Sequence, residues 1–364
     1  MLTEKSVLVG MSGGIDSTAV CHMLLAQGYE VKGLTFITCD AGVNAATSAR
    51  ELAERLGIEH HIADVRDEFR RMVIEPFIES YLSGVTPNPC VNCNPTVKFR
   101  LLEEWADRLG CRYIATGHYV KVARQGDGDA AKYYIVTGDD DRKDQSYFLW
   151  RLTQNQLSKL LLPLGGMDKP SVIGYLKENG FDALAGGGES MEICFIPGDY
   201  RDFLKENVPD IEERFGGGAF VDSAGRVLGR HAGFPFYTIG QRKGLGIALG
   251  YPAYVLKINA AKNTVMLGGE QQLVVRHMLV DEPVWVDGAP ENLTVRVRYR
   301  SHPVACEAPV AVGDGRWLVR LHGEASAVTP GQSAVFYCGN VVVGGAFIAD
   351  QRGINQWICC DEQY

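Results

Sequence analysis

The 364-residue sequence predicts an α/β region followed by a β region: a doubly wound parallel sheet, then small barrels or sandwiches. Two observations carry this. From Val7 to about Ala115, short β-rich runs alternate with helical ones, the pattern of a parallel sheet covered on both faces. Past the glycine triplet Gly216-Gly217-Gly218 the helical patterns stop and short, glycine-punctuated β-rich runs take over, which marks a domain boundary. The length itself calls for two or three domains.

In the first region the predicted strands are Val7–Val9, Val31–Thr35, His61–Val65 and Tyr113–Ala115. Helices are predicted near Ser17–Gln27, Ala45–Leu56 and Phe99–Leu109, each followed by a glycine (Gly28, Gly57, Gly110) where the chain leaves the helix. Between the third and fourth strands, Thr86-Pro87-Asn88-Pro89-Cys90-Val91-Asn92-Cys93-Asn94-Pro95 holds three prolines in ten residues and reads as an ordered loop. Tyr119–Arg124 and Tyr133–Thr137 form a predicted hairpin. Lys143–Leu149 reads as a loop entering a helix, and Pro170 to Gly180 as a further helix. In the second region Ala253–Ile258, Thr264–Leu267, Leu293–Tyr299, Trp317–Leu321 and Ser333–Tyr337 are predicted strands.

Composition limits the function. The apolar fraction of 46% supports real cores, and no run of eighteen apolar residues suggests a membrane span. The first residues lack the basic and apolar regions of a signal peptide, so a cytoplasmic protein is expected. Ten cysteines are few for a disulfide scaffold of this size. The net charge of −8 argues against indiscriminate nucleic-acid binding. It is unevenly spread: residues 1–215 hold 23 Lys+Arg against 32 Asp+Glu, whereas residues 226–300 hold 10 against 5. A basic surface can therefore form in the middle and late part of the chain.

Chemistry concentrates at a few places. Gly10-Met11-Ser12-Gly13-Gly14-Ile15-Asp16-Ser17 runs from a strand through a Ser-Gly-Gly turn into a helix. Such a turn lets consecutive N–H groups converge on an anion at the positive end of the helix dipole. It has neither the Gly-Lys-Ser/Thr ending of a Walker A loop nor a dinucleotide Gly-x-Gly-x-x-Gly. The alternative is an ordinary glycine turn. Because ligands of doubly wound sheets collect beyond the carboxyl ends of the strands, Phe36 after the second strand and Gly117 and His118 after the fourth share its rim. The Cys90-x-x-Cys93 pair has three readings: half a zinc site, a redox pair, or one reactive cysteine with a bystander. No second such pair completes a zinc site, and adjacent Cys359 and Cys360 fall in a tail. Gly186-Gly187-Gly188 precedes Cys194, which suggests a thiol on a segment that can move, or a buried cysteine after a loop. In Arg296-Val297-Arg298-Tyr299-Arg300, period-two alternation would put three arginines on one strand face, calling for counter-charges or phosphates.

Ser-Gly-Gly-x-Asp-Ser resembles the pyrophosphate loop of the ATP pyrophosphatase superfamily. With Thr86–Asn94, Ala115-Thr116-Gly117-His118, Lys143–Leu149, Ile193-Cys194-Phe195-Ile196, Tyr237–Gly246, Arg298–Arg300 and Thr329-Pro330-Gly331-Gln332 in order along the chain, the sequence resembles the tRNA-specific 2-thiouridylases over nearly its whole length. The resemblance implies a catalytic pyrophosphatase-type domain over 1–212, a small central domain over 213–282 and a C-terminal β-barrel over 283–364. It implies ATP, with Mg2+, as cofactor, and tRNA and a persulfide donor (a cysteine desulfurase or sulfur-relay protein) as partners. ATP would adenylate O2 of an anticodon uridine, the wobble U34, and persulfide sulfur would replace that oxygen. By position, Cys93 matches the nucleophile and Cys194 the persulfide carrier, and the two would close to a disulfide in each turnover. Gly10, Met11, Ser12, Gly13, Gly14, Ile15, Asp16, Ser17, Phe36 and Gly117 match nucleotide contacts. Asn88, Pro89 and Cys90 match the target-base contact, and His118, Lys143, Asp144, Gln145, Arg298, Tyr299 and Gln332 match tRNA contacts.

Two positions depart from that pattern. Cys90 stands where many members have an aspartate, so a proton-transfer role there is either dispensable or performed by a thiol. Phe36 stands where methionine is common, and Thr38-Cys39-Asp40-Ala41 is shorter and less acidic than usual. Two rival functions are a synthetase amidating a small molecule and a catalytically silent tRNA-binding module.

Overall fold

The computed structural model describes residues 4–40, 42–182, 184 and 193–358. The chain divides into two units, each assembled from separate stretches: Met1–Ile74, Cys90–Phe195 and Asn340–Val343 make one, and Glu75–Pro89, Ile196–Gly339 and Gly344–Tyr364 the other.

The first unit starts with the predicted alternation, β1 (Ser6–Gly10), α1 (Ile15–Ala26), β2 (Glu30–Ile37), α2 (Gly42–Leu56) and β3 (Glu59–Asp64). A short α3 (Arg66–Phe69) follows; α4 (Glu75–Leu82) belongs to the second unit. Next come α5 (Pro89–Cys93), α6 (Phe99–Leu109) and β4 (Tyr113–Ala115), a hairpin of β5 (Val120–Gln125) and β6 (Lys132–Thr137), then α7 (Gln154–Ser158), β7 (Leu160–Leu161) and α8 (Lys169–Glu178). Five strands form a sheet in the order β3-β2-β1-β4-β7, with every pairing parallel. Val7, Leu8 and Val9 are wholly buried, as a strand covered on both faces requires. On one face, Val7 and Val9 join a core with Ala19, Val20 and Leu24 of α1, Ala49 and Leu52 of α2, and Val172 and Leu176 of α8. Strand order reverses between β1 and β4, so the ligand crevice of this sheet lies at the carboxyl ends of those two strands. Gly28, Gly57 and Gly110 all adopt positive φ, as predicted for residues ending helices.

Three sequence expectations change. The cysteine segment is a loop only as far as Asn88: Pro89 opens a helix, where its missing N–H would have had no partner, and Cys90 and Cys93 stand one turn apart on it. The helix then widens to π geometry over Asn94–Lys98, around Pro95, which cannot donate a backbone hydrogen bond and whose ring crowds the preceding turn. Lys143–Leu149 enters only a single 3-10 turn at Ser146–Phe148. The strand from Leu293 stops at Arg296, and Arg298 to Ser301 form a turn closed by the Ser301 N–H on the Arg298 carbonyl. The three arginines therefore do not share one strand face. Gly186-Gly187-Gly188, Cys359 and Cys360 lie outside the described residues.

The second unit contains α9 (Tyr200–Asn207) and α10 (Ile211–Phe215) and a four-stranded sheet of Tyr254–Asn259, Thr264–Gly268, Gly218–Val221 and Val227–His231, in that spatial order. A further sheet runs through Val274–Asp281, Arg316–Ser326, Val304–Cys306, Leu293–Arg296, Ser333–Cys338 and Val341–Phe347, with Val310–Gly313 paired to Arg316–Ser326 and Val284–Trp285 to Val341–Phe347. Ile348 bridges back to Val280 of the first of these, so the sheet curls toward closure. Among the described residues no helix is long and apolar enough to cross a membrane.

Gly165 admits no side chain, because a Cβ there would collide with the Val120 carbonyl of β5. Gly165→Ala should destabilise the protein by about 1–3 kcal/mol through overpacking. A urea midpoint equal to wild type would show that β5 yields freely.

Candidate active site

The loop after β1 ends at Gly14, which caps α1 in an extended conformation with no side-chain hydrogen bond to the first-turn N–H groups. Those donors point out of the sheet at the switch point, where an anion can take them. Ser12 and Ser17 frame the turn: the Ser12 N–H donates to Ser17 Oγ at 3.2 Å and the two hydroxyls lie 3.3 Å apart. Gly13 has φ +73°, and a Cβ there would come within 2.8 Å of the Ala45 carbonyl. Only glycine lets the loop nest against α2. Gly10 ends β1, Met11 is buried beneath the loop, and Ile15, Asp16 and Ser17 begin α1.

Asp16 is tied from two sides. Its Oδ1 accepts from the Tyr119 hydroxyl and from Lys169 Nζ, each at 2.6 Å. Lys169 starts α8, so the crevice gains a cation beside the helix start, and its charge offsets that of Asp16. Burial and the Asp16 carboxylate both raise the Tyr119 hydroxyl, which keeps it a donor. Gly117 follows β4, and a Cβ on it would lie 2.9 Å from Asp16 Cβ and 3.3 Å from the Ser17 nitrogen. Its glycine is thus required by α1 itself, in addition to the nucleotide approach that sequence suggested. Phe36 is the penultimate residue of β2, paired with Ala63, and lies within the strand, not after it.

His118 is buried, with Nδ1 2.7 Å from Thr116 Oγ1 and its ring against Phe99 at 5.7 Å. Burial, and then the Lys98 charge, hold its pKa well below the ordinary histidine value, so the ring is neutral at pH 7.

The thiols form a second group in the same unit. Desolvation pushes Cys93 up to about 12; Cys194 and Cys90 push the same way, while the Lys98 charge and its backbone N–H oppose them. Burial likewise raises Cys90. Cys194 has an exposed surface, yet surrounding protein still raises its thiol, with Lys98 again opposing. All three are free thiols. The helix carrying Cys93 is held by side chains on both partners: Asn94 Nδ2 donates to the Phe148 carbonyl at 3.0 Å, Gln156 Nε2 to the Pro95 carbonyl at 3.2 Å, and Arg151 Nη1 to Asn92 Oδ1.

The residues expected at RNA have internal partners as well. The Asp144 carboxylate accepts from Gly138 N, Ser146 N and Ser146 Oγ, and Gln145 Oε1 accepts from the Tyr119 N–H at 3.0 Å. Lys143 is half-buried beside them. In the second unit, Gln332 Nε2 donates to the Thr86 and Pro87 carbonyls at 3.1 and 3.0 Å, fixing the approach to Asn88 and Pro89. Arg298 donates to the carbonyls of Ile239 and Ala327 and to Thr329 Oγ1, while Tyr299 and exposed Arg300 complete the turn.

Family models match three consecutive stretches: a tRNA methyl transferase HUP domain over residues 5–198, a tRNA methyl transferase PRC-barrel domain over 201–269, and an aminomethyltransferase β-barrel domain over 275–348. The sequence is 54% identical to a tRNA-specific 2-thiouridylase of Phocaeicola vulgatus, covering 99% of this chain and 98% of the relative. It is 56% identical to one of Bacteroides fragilis (97% and 96%) and 43% identical to one of Cytophaga hutchinsonii (96% and 98%). The chain belongs to the tRNA-specific 2-thiouridylases. The N-terminal parallel sheet, central PRC-type domain and C-terminal β-barrel of this thiouridylase are the three parts expected from sequence.

Sequence reasoning missed four residues of the thiouridylase site: Lys98, Tyr119 as a hydrogen-bond donor, Arg151 and Lys169. Lys169 and Asp16 are 153 positions apart, and no local pattern marks such a pair.

A histidine held neutral by folding takes up a proton on unfolding, so its contribution to stability is lost as pH falls through the unfolded value near 6.5. The wild-type stability should fall between pH 7 and 5 with a slope from His118 approaching about 1.4 kcal/mol per pH unit. His118→Asn should flatten that slope in urea titrations; an unchanged slope would show that His118 titrates normally.

Proposed function

We propose that this chain is an ATP-dependent tRNA uridine 2-sulfurtransferase, acting on an anticodon uridine, the wobble U34, with a cysteine-desulfurase-type or sulfur-relay protein as persulfide donor. The observation that carries the reading is the presence, in one unit, of an uncapped helix start suited to pyrophosphate and a set of thiols suited to sulfur transfer. A uracil carbonyl is a poor electrophile. Converting its O2 to an AMP ester, with release of pyrophosphate, creates a leaving group that sulfur can displace. The first-turn N–H groups of α1, Ser12 and Ser17 hold the phosphates, with Mg2+ balancing their charge; Phe36 and Gly117 border the nucleoside. Lys169 offsets the charge of Asp16 at that site.

Cys194 carries the persulfide. Its terminal sulfur attacks C2 and AMP leaves; the Cys93 thiolate then attacks the Cys194 sulfur, so the S–S bond to the transferred atom breaks and a Cys93–Cys194 disulfide forms. A dithiol reductant resets the pair. Asn88, Pro89 and Cys90 border the target base, while His118, Lys143, Asp144, Gln145, Arg298, Tyr299 and Gln332 serve the tRNA side. The domain limits that go with this reading are 1–212, 213–282 and 283–364, and the setting is cytoplasmic.

Asp16→Ala should abolish tRNA-dependent AMP formation and leave tRNA binding within about twofold; undiminished AMP release would remove the nucleotide assignment. Cys93→Ser and Cys194→Ser should each lose thiolation, whereas Cys90→Ser should keep measurable activity. A dead Cys90→Ser beside an active Cys93→Ser would reverse the two roles, and AMP release without tRNA would favour a small-molecule synthetase.

Because Arg298 is committed to internal acceptors, the phosphate-contact expectation now falls on exposed Arg300 of the same turn. Arg300→Ala should reduce the slope of log affinity against log salt by about one, while Arg298→Ala should lower thermal stability. The opposite pattern would place the phosphate on Arg298.

A further inference from the structure

Tyr237–Gly246 is a long polar, glycine-rich run that lies outside the nucleotide and thiol groups. In the second unit it opens a loop that closes on itself. The Gly240 N–H donates to the Val255 carbonyl at 2.8 Å and the Val255 N–H to the Gln241 carbonyl at 3.0 Å, so residues 242–254 leave and return at one point. Gln241 fixes the exit: its Oε1 accepts from the Thr238 N–H at 3.1 Å, and its Nε2 donates to the Lys243 carbonyl at 2.9 Å. Buried Leu245 anchors the loop, and Ile247 lies on the strand Val227–His231, where a Cβ on Gly229 would come within 2.8 Å of its Cδ1. A loop with pinned ends and its own side chains packed beneath it is an ordered platform.

The loop borders a cavity of about 490 Å3, within the ~300–1,000 Å3 range of small-ligand sites, with Arg242, Gly244, Gly246, Leu249, Tyr251 and Pro252 in its wall. Tyr251 is 55% exposed, although a ring of that size stabilises a fold chiefly by being buried. Arg242 and Lys243 are exposed in the same loop, and from Thr238 to Ala253 the chain has no acidic residue. A Cβ on Gly244 would stand 3.2 Å from Arg201 Nη1, which sets the guanidinium of α9, whose ion pair is with Asp199 at 3.7 Å, against the glycine backbone. Gly244 and Gly246 both take positive φ and leave bare backbone at the cavity. Cations without a carboxylate select an anionic partner, and an exposed ring beside them selects one with a flat face. An RNA nucleotide has both: its base stacks on an aromatic ring and its phosphate takes an arginine. We propose that this cavity is a subsite for one unstacked nucleotide of the tRNA, with its base on Tyr251 and its phosphate on Arg242. This rests on tRNA being the substrate, and it adds a contact outside the residues matched to tRNA by position.

The test is binding of an unmodified tRNA transcript to the full chain across a salt series. Tyr251→Ala should weaken binding about five- to tenfold at every salt concentration, the effect of losing one base–aromatic stack, with the salt slope unchanged. Arg242→Ala should lower the slope of log affinity against log salt by about one. Tyr251→Trp should bind within about twofold of wild type, because the larger ring also stacks. Its added fluorescence, over that of the five native tryptophans, should be quenched by tRNA and left unchanged by ATP alone. Wild-type affinity in Tyr251→Ala, or unquenched fluorescence in Tyr251→Trp, overturns the proposal. Quenching by ATP alone overturns it in favour of a free nucleotide, and quenching by a sulfur-donor protein but not by tRNA in favour of a protein surface. A wild-type chain that binds the transcript but forms no 2-thiouridine would remove the proposed reaction and leave the comparison of affinities to judge this subsite.

Discussion

The first turn of α1 is left without a cap, and much of the first unit is arranged to keep it so. A helix start normally takes a side-chain oxygen at its N-cap; here Gly14 supplies none, and the first-turn N–H groups have no side-chain acceptor from the cap. Gly13 and Gly117 remove side chains that would displace the loop from α2 or push on Asp16. Tyr119 and Lys169 then hold the Asp16 carboxylate from the flanks. Parallel strand order places this start at the switch point of the sheet.

The thiols show a different compromise. Enclosing a cysteine keeps water from competing with sulfur transfer, yet the same enclosure disfavours the thiolate. The helix carrying the thiols widens to a π turn around Pro95, and Asn94, Gln156 and Arg151 hold that segment in place.

Several residues matched to RNA contact also build the surface on which RNA would lie. Gln332 holds the Thr86–Pro87 backbone, Arg298 joins three separate chain segments, and Asp144 organises its own turn. A polar side chain with buried partners is fixed in direction at little further entropic cost. Such residues can position their neighbours for binding while spending most of their own hydrogen bonds inside the protein.

The sequence by itself determined the α/β region, its strand and helix order, the glycines that end its helices, the Ser-Gly-Gly turn between the first strand and helix, and the family, because each of these is written in local periodicity, turn chemistry or motif order. The hairpin of β5 and β6 and the strand Ser333–Cys338 were legible for the same reason. Tertiary structure decided what depends on distant partners or on competition between neighbours. Three prolines argued for a loop over Thr86–Pro95, but a proline in a first turn is tolerated, and the segment is helical from Pro89 on. Alternating arginines argued for a longer strand, but Arg298 finds better hydrogen bonds in a turn, and the strand ends at Arg296. The pairing of Asp16 with Lys169 comes from chain folding across a long separation and the widened turn over Asn94–Lys98 from one proline among its neighbours, neither of which a one-dimensional pattern records.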